Sequence, residues 1–170
     1  MSIGPLPQIG DVEAAAARLS GHAMKTPLLE SPRLNDRFGG RLLIKPECLQ
    51  RTGSFKFRGA FNKIVQIPDD DKSRGVVAFS SGNHAQGVAA AAQILGLPAT
   101  IVMPSDAPAI KITSTKSYGA TVVPYERKDG NRVQVAERIL GETGGSMVPQ
   151  AEMDSYLARG RQLLQSSGED

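Results

Sequence analysis

The stretch that decides the fold is Gly75-Val76-Val77-Ala78-Phe79-Ser80-Ser81-Gly82-Asn83-His84-Ala85. Its first part is a short apolar run typical of a buried strand, and the small polar residues that follow are typical of a turn. The segment 85–95 then predicts a helix, which Gly96 ends with Pro98 just beyond it. A buried strand, a polar turn and a helix in this order predict one βα unit of a parallel sheet.

The same alternation continues along the chain. Further strands are predicted at 99–103, at 120–123 and from Met147, and further helices at 108–118 and 132–140. Strands that alternate with helices of about ten residues predict an α/β fold, an open parallel sheet with helices on both faces. We therefore predict a small α/β domain at residues 75–150.

The first 72 residues contain too few strands to form a domain alone. The pattern predicts a helix at 12–19, a loop or short strand at 27–34, a turn at 36–40 and a short strand at 41–45. A second helix is predicted from about Phe55 to Ile64 with Ser54 as its N-cap, and the aspartates at 69–71 predict a solvated link.

Residues 1–72 are therefore predicted to be the N-terminal part of a larger domain that is incomplete in this chain. Their apolar faces should be exposed, or should be covered by another copy of the chain or by a different partner. Residues 151–170 are predicted to begin the return to that domain or to form a polar helical tail, with a helix at 154–165.

The composition is that of an ordinary globular protein, with 40% hydrophobic and 22% charged residues. The net charge of +3 is spread along the chain without a basic run, which argues against a nucleic-acid partner. Cys48 is the only cysteine, which excludes an internal disulfide and a thiolate metal cluster and favours a reducing compartment. Neither a signal peptide nor a membrane span is predicted. These features predict a cytoplasmic protein, and the mild positive charge would suit an anionic small molecule.

The polar turn at 80–84 lies where open parallel sheets bind their ligands, beyond the carboxyl ends of the strands. A helix N-terminus offers unpaired N–H groups and a partial positive charge, so a carboxylate or a phosphate binds well there. Gly82 allows close backbone approach, and Asn83 with the two hydroxyls can orient a small anion. An N-cap with a tight turn would explain the same residues, so both interpretations remain open on spacing alone.

Lys56 is a candidate nucleophile at the start of the helix predicted at 55–64. The helix dipole opposes a cation in the first turn by roughly 0.3–1 kcal/mol. The rings of Phe55 and Phe57 would partly remove water from the amine. Both effects favour the neutral form that a Schiff-base lysine needs. The alternative is a lysine whose stem lies along the aromatic rings and whose ammonium reaches solvent, and the pattern alone favours that alternative.

Two motifs resemble one enzyme family. The first is Glu47-Cys48-Leu49-Gln50-Arg51-Thr52-Gly53-Ser54-Phe55-Lys56-Phe57-Arg58-Gly59-Ala60. It resembles the cofactor-lysine motif of serine/threonine dehydratases and serine racemases, which are pyridoxal-phosphate (PLP) enzymes of fold type II, the tryptophan synthase beta-like fold. The second is Ser80-Ser81-Gly82-Asn83-His84-Ala85-Gln86-Gly87, which resembles the substrate-carboxylate loop of the same family.

The order and the spacing of the two motifs also match this family, and the resemblance extends from about Thr26 to Pro149. Phe57 after the lysine and His84 at the end of the loop are similar to the dehydratase and racemase branch. Cysteine synthases and threonine synthases usually have an Asp and a Thr at these positions. The resemblance therefore reverses the preference for a surface lysine at position 56.

The resemblance implies a role for each matched residue. Lys56 would hold PLP through a Schiff base and would later take the α-proton of the substrate. Phe55 would pack on the cofactor ring, and Asn83 would hydrogen-bond the phenolic oxygen of PLP. The substrate carboxylate would be bound by the loop residues Ser81, Gly82, Asn83 and His84.

Two of these loop residues have alternative roles. Ser81 matches the acid/base on the opposite face of the substrate in racemases, and the alternative is a carboxylate contact only. For His84, the alternative is a packing contact at the start of the helix. His22 and Cys48 lie outside these roles and are predicted to be a surface residue and a packing residue.

The implied reaction is the PLP-dependent dehydration and deamination of L-threonine or L-serine to a 2-oxo acid and ammonia. The family's glycine-rich phosphate-binding loop is absent from this chain, since Gly144-Gly145 is too short to form it. A second hypothesis is therefore a truncated, non-catalytic α/β remnant that binds a small anion or a partner chain. The sequence distinguishes neither the β-hydroxy amino acid nor a dehydratase from a racemase.

Overall fold

A computed structural model describes residues 7–129 and 132–149 of the chain. In chain order its elements are α1 (Ile9–Leu19), β1 (Leu29–Glu30), α2 (Pro32–Phe38), β2 (Leu43–Ile44), α3 (Lys56–Ile64), α4 (Asp69–Lys72), β3 (Val76–Phe79), α5 (Asn83–Leu95), β4 (Ala99–Pro104), α6 (Ala109–Ser117), β5 (Thr121–Tyr125), α7 (Arg132–Thr143) and β6 (Ser146–Met147). Short 3-10 turns occur at Glu47–Leu49, Arg51–Gly53 and Arg127–Asp129. The helix predicted at 154–165 lies outside the described residues.

Strands β3 to β6 form one parallel sheet in the order β5-β4-β3-β6. Val76 of the central strand β3 pairs with Ala99 on one side and with Ser146 on the other. A separate antiparallel pair, β1 with β2, lies in the N-terminal part. The α/β fold with an open parallel sheet is therefore confirmed.

Helices cover both faces of the parallel sheet, because side chains alternate along each strand. One face contributes its residues to a core shared with α3 and α5, namely Val76, Ala78, Ile101 and Met103. The other face places Val77 and Val102 against Ala136 and Ile139 of α7. Within the described residues, no helix is both long enough and apolar enough to span a membrane.

Helices α3 and α5 approach each other at Gly87. A Cβ placed on Gly87 would lie 3.1 Å from the carbonyl carbon of Lys56 and 3.1 Å from the nitrogen of Phe57. Phe57 and Phe61 of α3 then fill the core that also contains Val88 of α5. This core contains residues from both sides of the boundary predicted at 72–75. The division into two domains at that boundary remains a prediction.

The N-terminal elements leave apolar side chains exposed, as expected for residues that lack their partners. Elements α1, β1, α2 and β2 contain no buried residue. Exposed large hydrophobic side chains there are Ile9, Val12, Leu29, Phe38, Leu43 and Ile44. The expectation does not hold for α3, which is buried against α5.

Local expectations at three places were wrong. The turn predicted at 36–40 is the end of α2, which has Pro32 in its first turn and the left-handed Gly39 as its C-cap. The predicted link at 69–71 is the start of α4, where carboxylates are favoured by the helix dipole. Ser54 does not cap α3, and its buried hydroxyl has no hydrogen-bond partner among residues 7–129 and 132–149.

Two side chains without a predicted role in the site also differ from expectation. Cys48 is exposed rather than packed. His22 is half-buried, and its ring stacks on that of Phe61 with 4.5 Å between the centroids. His22 therefore helps to attach the segment after α1 to helix α3.

A polar network joins this segment to α3 more firmly. Arg58 donates from Nε to Glu47 Oε2 at 2.7 Å and from Nη2 to Oε1 at 2.9 Å, and Thr26 donates to Oε1 at 2.6 Å. The Arg58 hydrogen bonds are the main reason that the pKa of Glu47 falls from its ordinary value of 4.5 to about 2. The side chain of Gln50 adds two hydrogen bonds of 2.9 Å to the backbone of Met24.

Replacing Gly87 by Ala should destabilise the fold, because the new methyl group would push against the backbone of Lys56. We expect the free energy of unfolding to fall by about 1–3 kcal/mol. Gly141→Ala is the matched control, since Gly141 lies in α7 with open space around it. It should stabilise the chain by up to about 1 kcal/mol. Urea denaturation measures both, and a stabilising Gly87→Ala would contradict the close approach.

The Glu47–Arg58 pair should make the stability depend on pH. Because the pKa of Glu47 is lower in the folded chain, its contribution is complete above about pH 4.5 and is lost as the pH falls towards 2. The contribution at neutral pH is on the order of 2 kcal/mol. Glu47→Gln should therefore flatten the dependence of the unfolding free energy on pH between 5 and 3. Glu137→Gln, on an exposed position of α7, should leave that dependence unchanged.

Candidate functional site

Lys56 is the first residue of α3 and is only 9% exposed. Its Nζ lies 5.1 Å from the centroid of the Phe55 ring, which is itself 40% exposed. The Phe57 ring instead points into the core, 5.7 Å from that of Phe61. Lys56 is therefore buried as expected, and the ring beside its amine is that of Phe55. The side chain does not lie along the surface of the protein.

The loop 80–84 follows the end of β3, and α5 begins at Asn83. Ser80 donates its backbone N–H to the carbonyl of Val102 on β4, and its hydroxyl accepts from the N–H of Gly82 at 3.3 Å. These contacts hold the loop at the carboxyl end of the sheet. Ser81 and Asn83 are exposed there, so both side chains can reach a ligand.

The loop and Lys56 lie on the same side of α5. Asn83 comes one helical turn before Gly87, and residues at this spacing share one face of a helix. Gly87 contacts the backbone of Lys56 directly. The close approach of Gly87 to the backbone of Lys56 therefore places the start of α3 within one helical turn of α5 from the predicted carboxylate loop.

His84 is buried, and its Nε2 lies 3.0 Å from the carbonyl oxygen of Val148. Val148 in turn donates its N–H to Val77 on the central strand β3. The imidazole thus connects the start of α5 with the chain after β6. This contact favours the packing role for the ring, and the carboxylate contact predicted for His84 would then fall to its backbone N–H at the helix start.

Four residues around the site have no role predicted from the sequence. One is Gly87, although a glycine inside a helical pattern often has a packing reason. Glu47 and Arg58 anchor the lysine helix. Lys111 of α6 donates from Nζ to Asn83 Oδ1 at 2.8 Å, and no sequence signal connects these two residues.

The donor set fits an aldehyde cofactor with a flat ring and an anionic substrate. A buried primary amine lies beside an aromatic ring at Lys56 and Phe55. The amide of Asn83 and the N–H groups at the start of α5 can donate to anionic oxygens. Ser54, which precedes Phe55 and Lys56 in the chain, carries a buried hydroxyl that has no hydrogen-bond partner within the described part of the chain.

Known proteins similar to this chain share these features. The profile of a family described as pyridoxal-phosphate dependent enzyme matches residues 19–163. An L-threo-3-hydroxyaspartate ammonia-lyase from Pseudomonas sp is 48% identical over 162 residues, which are 93% of this chain and 51% of the relative. An L-threonine ammonia-lyase from Thermotoga maritima is 47% identical over 138 residues, which are 81% of this chain and 34% of the relative.

A solved structure agrees with these sequence relatives. Maize serine racemase superimposes with a TM-score of 0.78 at 39% identity, over 82% of this chain and 43% of the racemase. The chain spans about half the length of the curated relatives it matches, and about a third of that of the threonine enzyme. The profile covers most of the chain, including both motifs, and the chain therefore belongs to the family of pyridoxal-phosphate dependent enzymes.

Proposed function

We propose that this site serves the PLP-dependent dehydration and deamination of L-threonine or L-serine to a 2-oxo acid and ammonia. The observation that supports the proposal is the close approach of Gly87 to the backbone of Lys56, because Gly87 lies one helical turn after the loop 81–84 that opens α5. Relatives named as ammonia-lyases for threonine and for hydroxyaspartate support a β-hydroxy amino acid as the substrate class.

The residues of the cleft divide into two groups. Lys56 holds the cofactor covalently, Phe55 packs on its ring, and Asn83 donates a hydrogen bond to its phenolic oxygen. The carboxylate of the amino acid binds at the start of α5, where the loop 81–84 offers backbone N–H groups, the Ser81 hydroxyl and a positive dipole end. The bound cofactor supplies an electron sink for the charge that develops at Cα.

Lys56 then performs the proton transfer. Lys56 would hold the cofactor, and its Nζ, once released, would be the base that takes the proton from Cα. Burial of the lysine at the start of α3 limits the water around this transfer. The loop holds the carboxylate still, so the Cα–H bond keeps one orientation relative to the amine. Loss of the β-hydroxyl and hydrolysis of the resulting enamine give the 2-oxo acid and ammonia.

Lys56→Ala should abolish covalent cofactor binding. We expect the wild-type chain mixed with PLP to show the visible absorption band of a lysine-bound cofactor, and borohydride to fix that cofactor on residue 56. Lys63→Ala is the control, because Lys63 is an exposed lysine of the same helix. Its band should equal that of the wild type. A band that survives in Lys56→Ala would remove the role assigned to Lys56.

Turnover is tested with L-threonine, L-serine and L-threo-3-hydroxyaspartate, with 2-oxo acid as the measured product. The proposal expects product from L-threonine or L-serine that depends on Lys56. Product from L-threo-3-hydroxyaspartate alone would show that this amino acid, and not L-threonine or L-serine, is the substrate. A Lys56-dependent band without any product would contradict the proposal and favour a non-catalytic module that binds the cofactor or a small anion.

Ser81→Ala separates elimination from racemisation. If Ser81 is the acid/base on the opposite face, its removal should abolish interconversion of L- and D-serine while 2-oxo acid formation from the L-substrate continues. Ser80→Ala is the companion variant, because the Ser80 hydroxyl supports the backbone of the loop. It should raise KM for both reactions equally. Equal losses of both reactions in Ser81→Ala would reduce Ser81 to a carboxylate contact.

A further inference from the structure

Asn83 has a cationic neighbour that comes from a different part of the chain. Lys111 lies in the first turn of α6 and donates from Nζ to Asn83 Oδ1 at 2.8 Å. Thr115, which is fully buried, donates its hydroxyl to the carbonyl of Lys111 at 2.8 Å and so anchors this turn of α6 to the core. The backbone of Lys111 is therefore fixed by a core residue, although its side chain extends to the rim of the cleft.

The chemistry of the two side chains allows only one orientation of the amide. A lysine ammonium is a donor without acceptor capacity, whereas an asparagine amide has an acceptor oxygen at one end and two N–H donors at the other. A reversed amide would place its NH2 group against the ammonium. The contact with Lys111 therefore occupies the oxygen end and directs the NH2 end to other partners.

This orientation is the one that an anionic oxygen needs. We propose that Lys111 is a positioning residue, which holds the Asn83 amide so that its NH2 group is the donor offered to the phenolic oxygen of the cofactor. The inference rests on the proposed function, in which Asn83 contacts the cofactor. Without Lys111, the amide can present its oxygen to the phenolic oxygen, and two acceptors then face each other.

The position of Lys111 would otherwise be unfavourable, and the proposed role explains it. A lysine beside the first residue of α5 lies at the positive end of that helix dipole, which disfavours a cation. The hydrogen bond to Asn83 offsets part of this cost. An anion bound at the start of α5 would lie near both the dipole end and the ammonium, so its binding would benefit from both.

The test compares Lys111→Met, which removes the donor, with Lys111→Arg, which retains one. Lys116→Met is the matched control, because Lys116 is an exposed lysine of the same helix. The first measurement needs no cofactor. The side-chain amide signals of Asn83, identified by their loss in Asn83→Ala, should move in an amide correlation NMR spectrum of Lys111→Met. They should stay in place in Lys116→Met, and Lys111→Arg should restore them in part.

The second measurement is PLP affinity, followed through the visible band of the lysine-bound cofactor. Lys111→Met should weaken PLP binding about tenfold, which is the effect of one hydrogen bond to a charged oxygen. The wavelength of the band should also shift, and Lys111→Arg should recover most of the affinity. Lys116→Met should bind PLP like the wild type.

Two results would overturn the proposal. Asn83 signals that are the same in Lys111→Met and Lys116→Met would show that Lys111 does not hold the amide. Signals that move without any loss of PLP affinity would show that the orientation does not matter to the cofactor. A wild-type chain without a Lys56-dependent band would contradict the proposed function instead, and the amide signals would still decide whether Lys111 positions Asn83.

Discussion

The absence of a Cβ at Gly87 is the constraint on which the proposed site depends. Two backbones meet where a Cβ would lie 3.1 Å from the carbonyl carbon of Lys56, so any other residue at that position would force α3 and α5 apart by a few tenths of an ångström. The contact lies one turn after the start of α5 and at the very start of α3. It therefore joins the two helix ends that we propose carry the chemistry, and small errors in helix packing would move Lys56 relative to the proposed carboxylate loop.

The composition of α5 makes this close packing possible along the rest of the helix. Its buried residues are mostly alanines, including the run 89–92, and the helix lies between the parallel sheet and α3. Small side chains let a helix be covered on several sides without voids or clashes. The larger core residues come from the neighbours, above all Phe57, Phe61 and Ile101. The apolar alternation of the strands and the small residues of α5 thus support the same arrangement.

On the outer side of α3, charged side chains stabilise the packing of the helix. Arg58 forms two hydrogen bonds with Glu47, and this lowers the pKa of Glu47 to about 2, so the pair stays ionised well into the acidic range. The same guanidinium donates to the carbonyl of Met24. The segment after α1 is therefore tied to the lysine helix by a few strong polar contacts, although the N-terminal elements around it expose much of their apolar surface. In relatives about twice as long, further chain is available to cover such a surface.

The choice of Lys56 and the role predicted for Asn83 came from the resemblance of two motifs to a known family. Local signals in the sequence determined the parallel α/β fold and the place of the loop at a strand end. They could do so because strand alternation, helix-ending glycines and motif spacing are properties of neighbouring residues. The helices α2 and α4 were missed, since proline, glycine and aspartate suit both turns and helix ends. Only the tertiary structure decided that Gly87 contacts Lys56, that His84 bonds to Val148 and that Lys111 reaches Asn83. Each of these contacts joins residues far apart in the chain, and their distances depend on how whole helices pack rather than on any local preference.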